Sequence, residues 1–435
     1  MTTEPTLREA ALAPGNNGQA KAGAAPGGRP PIVPLLMAIV LISHFNRISI
    51  STAGASRIMD QYGIEPTRMG VVYSAFLFTY TLMMIPGGLY IDRLGTRVAL
   101  ATVGLGSAAF VALTGAVGLS LDDPVAVFYA LILVRGLMGI FSAPLHPAAA
   151  RAVGRWVAPQ ARSKINGLVN GSALLGIAAT PPVFGRMIDR WDWPVSFLIM
   201  GGLTAVVALA WTLLARDGPE AAEESRPAPP APEPAGSWLD LLKDRDLVLL
   251  TLTYAAVGYF QYMFFYWMSY YFEAVLHLRQ EVSQFYAAIP PLAMAVGMPL
   301  GGWLSDRLEH SSADPSRRKV VPMIGMAAGA ALLFAGVFAQ EPAWIVAWFA
   351  LALGAVGMAE GPSWATAIEL GGRRGGSSAA LFNTGGNAGG ILAPIITPAV
   401  GNLLGWPYAV ALGALVCLGG LVLWFWIDPR AKSYD

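Results

Sequence analysis

Two arginines carry the first chemistry in this chain. Of its 28 Lys and Arg residues, only Arg47, within LLMAIVLISHFNRISISTAG, and Arg135, within VAVFYALILVRGLMGIFSAP, sit in the middle of a long apolar segment. A guanidinium near a bilayer centre costs about 2.5–3.5 kcal/mol on insertion scales. Such residues face a protein interior or a watery cavity, where an anion can offset that cost. Each could instead pair with a carboxylate or with helix-end carbonyls. Almost no acid lies at their depth, so the pair points to an anion pathway.

Other groups at that depth could move a proton. Glu360 is the one acid placed well inside an apolar run, and an intramembrane carboxyl is a natural proton carrier because desolvation disfavours its charged form. It could equally be the partner of an Arg or Lys near the helix end. His44 precedes Arg47 by three residues, so it shares a helical face about one turn away. His146 follows Arg135 in the same apolar stretch. Histidine titrates near physiological pH, although a lone membrane histidine is more often a hydrogen-bonded packing residue. The histidines lack metal-ligand spacing, and no nucleophile triad or phosphate loop is present, so neither a metal nor a cofactor is expected and the chain does not read as an enzyme. The pairs Gly301-Gly302, Gly385-Gly386 and Gly389-Gly390 suit close helix contact, since no strand precedes them. Cys417, the single cysteine, reads as packing filler.

The elements that must hold these residues are membrane helices. The chain is 55% hydrophobic and 13% charged with mean hydropathy +0.53, too apolar for an ordinary soluble protein. A net charge of +1 argues against nucleic acid as a partner. Apolar runs of about 20 residues, enough to cross about 30 Å of hydrocarbon, fall at 34–55, 68–91, 97–119, 125–150, 163–187 and 193–215. A second set falls at 247–274, 282–305, 318–339, 343–368, 376–402 and 405–427. These are helices 1 to 12. Residues 1–33 read as a disordered tail, 34–215 as one six-helix bundle and 247–428 as another. Between them, 216–246 is a Pro- and Glu-rich linker ending in a short surface helix, and 429–435 is a C-terminal tail.

Basic residues set the orientation. With both termini inside, the inner segments hold 21 Lys and Arg against 5 on the opposite side, which predicts cytoplasmic termini. The halves also repeat one another. GGLYIDRLG from Gly87 recurs as GGWLSDRLE from Gly301, Gly176-Ile177 as Gly390-Ile391, and Trp193-Pro194 as Trp406-Pro407. Two homologous six-helix halves place a ligand site near the bilayer midplane between them.

Residues 87–97, GGLYIDRLGTR, carry the G-x-x-x-D-R-x-G-x-R pattern between helices 2 and 3. On that motif the chain resembles the major facilitator superfamily. Within it, the chain is similar to the anion:cation symporter family, carriers of sugar acids and other organic anions. The resemblance rests on Asn46-Arg47, on SAFLFTYTLMMIPGG (Ser74–Gly88), on Arg135 with Gly139 and Ser142-Ala143-Pro144, and on ALFNTGGNAGGILAPIITP (Ala380–Pro398). It covers nearly all twelve helices, and it implies an all-α membrane protein with two pseudo-symmetric halves. It also implies a substrate-contacting tyrosine at Tyr80. Proton-coupled members carry an Asp before the helix 1 arginine and a Glu seven residues after the helix 4 arginine. Here Asn46 and Ser142 stand there, and Glu360 occupies the repeat position of Ser142.

These readings converge on one expectation. A monomeric multi-pass carrier in the plasma (cell inner) membrane moves a small organic anion by alternating access, coupled to a cation, the proton first. Arg47 with Tyr80 takes the carboxylate and Arg135 supports the field. Gln261, at the repeat position of Arg47, faces them together with Asn383 and Asn387. Tyr259, Tyr262, Tyr266 and Tyr270 of helix 7 add polar-tipped rings, about half of which should miss the ligand. Glu360 and His44 are the proton-carrier candidates. Asp92, Arg93, Arg97, Asp306 and Arg307 latch the cytoplasmic side in the outward-open state. The alternatives are a uniporter or sodium-coupled carrier of an organic anion, and a drug or metabolite exporter of the same fold. The cationic cavity and the lack of a helix 5 Gly-Pro motif disfavour the last.

Overall fold

The computed structural model describes residues 32–215, 238–312 and 315–430. The N-terminal tail, most of the inter-bundle linker and the end of the C-terminal tail lie outside the described residues.

Among the described residues, ten helices are long and apolar enough to cross a membrane. Two of these ranges hide a chain reversal. The Met84–Ser120 helix turns at Gly95 (φ 79°), so its first part continues Pro66–Leu82 and its remainder returns. The Pro159–Leu214 helix folds back at Asp192 (φ 62°). Twelve long helical segments result among the described residues: 32–62, 66–94, 96–120, 124–156, 159–191, 193–214, 245–275, 280–312, 317–338, 342–370, 375–404 and 406–424. These are helices 1 to 12 below. The face at which helix 1 begins and helix 12 ends is the terminal face, and its opposite is the distal face.

Local sequence explains where the chain turns. Pro66, Pro124, Pro159 and Pro342 open helices at positions where a missing N–H is harmless. Asp123 and Asp244 cap helices 4 and 7 by accepting backbone N–H bonds. The internal repeat is visible in the backbone. Asp192 before Trp193-Pro194 and Gly405 before Trp406-Pro407 both take positive φ, giving the same tight reversal in each half. Helices 4 and 10 both break in mid-course, at Ala143-Pro144 and at Met358-Ala359. Ser142 thus ends one half-helix, and Glu360 begins another.

Small residues let helices approach closely. A Cβ on Gly176 would collide with the carbonyl of Leu41, and one on Gly389 with that of Ala255. These are the equivalent 1–5 and 7–11 contacts of the two halves. Large apolar side chains such as Leu89, Leu133, Phe338, Leu351 and Phe425 are exposed, as a lipid-facing surface requires. Between the halves, helix 2 packs on helix 11 and helix 5 on helix 8. Gly70 lies against Pro394, and Gly185 against the Gln284 side chain. Cross-half hydrogen bonds run from Ser56 to Glu273 (3.1 Å), Arg57 to Gln280 (3.4 Å) and Ser74 to the Ile391 carbonyl (2.7 Å). Asn402 joins Thr67 at 3.2 Å. All four bonds belong to the distal side. Among the described residues, the side-chain hydrogen bonds that join the halves lie at Met84 or on its distal side.

Candidate functional site

Arg47 stands at the meeting of the halves. It is 7% exposed, and its Nη2 donates across the interface to the Tyr262 hydroxyl at 2.5 Å. The guanidinium carbon lies 5.0 Å from the Phe76 ring centre, 5.4 Å from Tyr80 and 5.0 Å from Tyr262. Three ring faces thus surround the charge, each a modest cation–π contact. Its Nε has no hydrogen-bond partner among the described residues, and no acidic side chain among them pairs with it. A buried cation held by phenols and ring faces, with no carboxylate among the described residues, retains capacity for an anion.

Arg135 lies behind it, fully buried. Its Nη1 donates to the Asn46 carbonyl (3.2 Å) and its Nη2 to the Arg47 carbonyl (2.6 Å). The helix 4 arginine therefore clamps helix 1 at the residue that carries the exposed chemistry. Asn46 turns the other way, donating to Thr204 of helix 6 at 2.8 Å. Tyr80 stacks on Phe76 with centroids 5.9 Å apart, so its ring rather than its hydroxyl meets Arg47.

The second half contributes different groups. Gln261 does not face Arg47. Its amide donates to the Glu360 carboxylate, which also accepts from the Tyr254 hydroxyl at 2.9 Å. Trp364 Nε1 donates to that hydroxyl at 3.1 Å, and the Tyr254 ring stacks on Phe382. Glu360 is thus a buried carboxyl enclosed by an amide, a phenol and an indole. The residue opposite Arg47 is Tyr262, one position beyond its repeat equivalent. Tyr266 stacks on Tyr73 of helix 2 (5.2 Å), Tyr259 meets Thr397 (3.2 Å), and Tyr270 packs on Trp406 (4.8 Å). Of the four helix 7 tyrosines, Tyr262 alone bonds Arg47. The Asn383 and Asn387 amides point across the interface to the Met84 sulfur at 3.8 and 3.3 Å. His44 meets His146 within the first half.

In the first half the loop-motif residues tie helices together. Asp92 accepts from Arg151 of helix 4 at 2.6 Å. Arg97 donates to the Thr212 carbonyl (2.8 Å), while Trp211 donates back to the Arg97 carbonyl (3.0 Å). Arg93 and Asp306 are exposed, and Arg307 lies over the Trp303 ring at 5.5 Å. The second half has a tie that motif reading missed: Arg318 bridges Glu309 (2.6 Å) and Glu369 (2.5 Å), joining helices 8, 9 and 10. The extra residues of the 8–9 loop, which carry its arginine out of register with Arg97, were the available signal.

Fold and site together define a multi-pass membrane carrier. The chain belongs to the Major Facilitator Superfamily, whose model matches residues 36–394 and 316–435; it is a transporter family, not an enzyme family. The chain is 26% identical to the probable sulfoacetate transporter of Cupriavidus necator, covering 92% of this chain and 93% of the relative. It is 27% identical to a D-galactonate transporter of Escherichia coli, covering 89% and 93%. Its fold matches a bacterial homolog of the human lysosomal transporter Spinster, solved in an inward-facing, unoccupied conformation. The TM-score is 0.76 at 17% identity, covering 92% of this chain and 98% of that one.

Proposed function

We propose that this chain moves a small organic anion, a sugar acid or similar carboxylate, across the plasma (cell inner) membrane as a monomer by alternating access. One observation carries the reading: Arg47 is buried at the interface of the halves with no acidic partner among the described residues. A carboxylate can replace Tyr262 on its planar fork and pair bidentately, while Phe76 and Tyr80 keep water from the pair. A D-galactonate transporter and a probable sulfoacetate transporter among its relatives support an anionic cargo. Both termini lie in the cytoplasm on this reading, and the distal position of the cross-half bonds then makes this an inward-facing state with the cleft open to the terminal side. Rocking of the halves about the ligand would break the Arg57–Gln280 and Ser56–Glu273 contacts on the outer side. It would bring the Asp92 and Asp306 loops together on the inner side. Transport is coupled to a cation, the proton first, with Glu360 and His44 as the titratable candidates.

Counterflow into proteoliposomes tests this. Labelled sugar acids should exchange and labelled lipophilic cations should not; the opposite pattern replaces the anion carrier with an exporter of the same fold.

A further inference from the structure

The histidines of the first half form a chain of contacts that is one proton short. His44 of helix 1 and His146 of helix 4 meet edge to face, centroids 5.1 Å apart, with their Nε2 atoms at 3.4 Å. His44 Nδ1 lies 3.0 Å from the Val40 carbonyl. A carbonyl only accepts, so this nitrogen carries the hydrogen and His44 Nε2 presents a bare lone pair. To bond it, His146 must hold a hydrogen on Nε2. The other His146 nitrogen, Nδ1, lies 3.3 Å from Oδ1 of Asn170 on helix 5, a second acceptor. A neutral imidazole has one N–H and serves one side; an imidazolium has two and serves both.

The surroundings decide which cation can fill the gap. Arg47 lies one turn away on the same helix, and Arg135 reaches that helix through the carbonyls of Asn46 and Arg47. Helix 7 faces Arg47 with the Tyr262 and Tyr266 phenols, and helix 6 contributes the neutral Thr204 beside Asn46. Among the described residues, the charged or polar groups acting on the two rings are each other, Arg47, Asn170 and the Val40 carbonyl. No carboxylate is among them. A divalent metal would place two charges beside an arginine without compensation, whereas a proton places one.

We propose that His44 and His146 form a single proton site whose loading is linked to the occupancy of Arg47 by the transported anion. This rests on the transport reading above. With Arg47 unpaired, the added proton puts a second positive charge about one helical turn away. A carboxylate on Arg47 cancels that repulsion. At roughly 6 Å and an effective dielectric near 20, the difference is about a hundredfold in the equilibrium constant. Linkage is reciprocal, so the proton tightens the anion by the same factor. One proton leaves water for the His146 ring as the anion enters, and both leave together.

The full chain labelled with ¹⁵N-histidine tests the pair directly. Four histidines make the spectrum assignable with His44→Gln and His146→Gln. Without ligand, the two rings should bind one shared proton rather than titrate as independent sites. Independent titration overturns the proposal. So does a pair that stays neutral into acid, the outcome if a half-turn of the Asn170 amide already supplies the hydrogen. With D-galactonate or sulfoacetate as probe, binding should draw protons from weakly buffered solution on the acid side of neutrality, up to about one per chain. Anion affinity should rise by up to about a hundredfold as pH falls. Both glutamine variants should lose the proton uptake and show affinity flat with pH, and unchanged uptake in either overturns the proposal. If neither probe binds or is transported, the cargo reading fails, and the ligand-free titration still decides the pair.

Discussion

At mid-membrane depth the first half gathers Arg47, Arg135, His44 and His146, and no acidic side chain among the described residues pairs with either arginine. The same depth of the second half gathers Glu360, Gln261, Tyr254 and Trp364, an acid enclosed by neutral donors. The backbones that carry these sets are nearly matched, with equivalent glycine contacts at Leu41 and Ala255 and equivalent broken helices 4 and 10. Symmetry therefore lies in the scaffold, where rocking needs it, and not in the chemistry. Glu360 has its hydrogen bonds supplied from within its own half. Arg47 does not, and leaving buried charge incompletely paired is costly. On the proposed function, an anion is thus demanded by one half and merely accommodated by the other.

The strongest way to break that contrast is at Arg47. Arg47→Lys keeps the charge and loses the planar fork, so anion uptake should fall by about a hundredfold or more, as for Arg47→Ala. Near-normal proteoliposome uptake by either variant would remove Arg47 from the site and with it the asymmetry. Arg135→Met comes next. Arg135 bonds two backbone carbonyls of helix 1 and the Met138 sulfur, no charged partner, and a chain of similar volume replaces it. The variant should fold, and with helix 1 unclamped the anion Kd should rise about tenfold, or roughly 1.4 kcal/mol. A loss as deep as that of Arg47→Lys, measured by calorimetric titration, would mean that Arg135 touches the anion itself.

Glu360→Gln sharpens the comparison from the other side. Glutamine is isosteric and still offers one oxygen to the Gln261 amide or the Tyr254 hydroxyl. Anion affinity should change by about threefold or less, and an imposed pH gradient should still drive accumulation. Loss of gradient-driven uptake with counterflow intact would move proton coupling into the second half.

The scaffold was legible in the sequence because its signals are local and additive. Apolar runs, the repeated DR loop motif and the Trp-Pro reversals each name a helix or a turn without reference to anything distant. Arg47 was legible for the same reason: a charge in hydrocarbon is anomalous in any fold. The pairings were not. Gln261 sits at the repeat position of Arg47, yet a helix advances about 100° per residue, so the neighbouring Tyr262 is the side chain that faces the other half. Arg135 and Arg47 look alike in sequence, and only the packing of helix 4 on helix 1 aims one at carbonyls and the other at the cleft. The Arg318 tie was hidden by a longer loop, and the His44–His146–Asn170 contacts join three helices that no spacing rule connects.

The smallest effect on binding is expected at Asp92. Its carboxylate meets Arg151 at 2.6 Å on an exposed surface, with side-chain exposures of 68% and 34%, so the pair contributes at most about 1 kcal/mol to stability. It is tied within the first half and far from Arg47. Asp92→Asn should therefore leave the anion Kd within experimental error and the melting temperature nearly unchanged. If the loop also docks on the second half when the terminal side closes, the lost charge matters only in that state. Uptake should then fall severalfold at unchanged affinity, which stopped uptake and equilibrium binding on one preparation can separate. A weakened Kd would place Asp92 in the same electrostatic network as Arg47. Equal uptake and equal Kd would confine the loop to holding helices 2 and 4 together, leaving closure to other contacts.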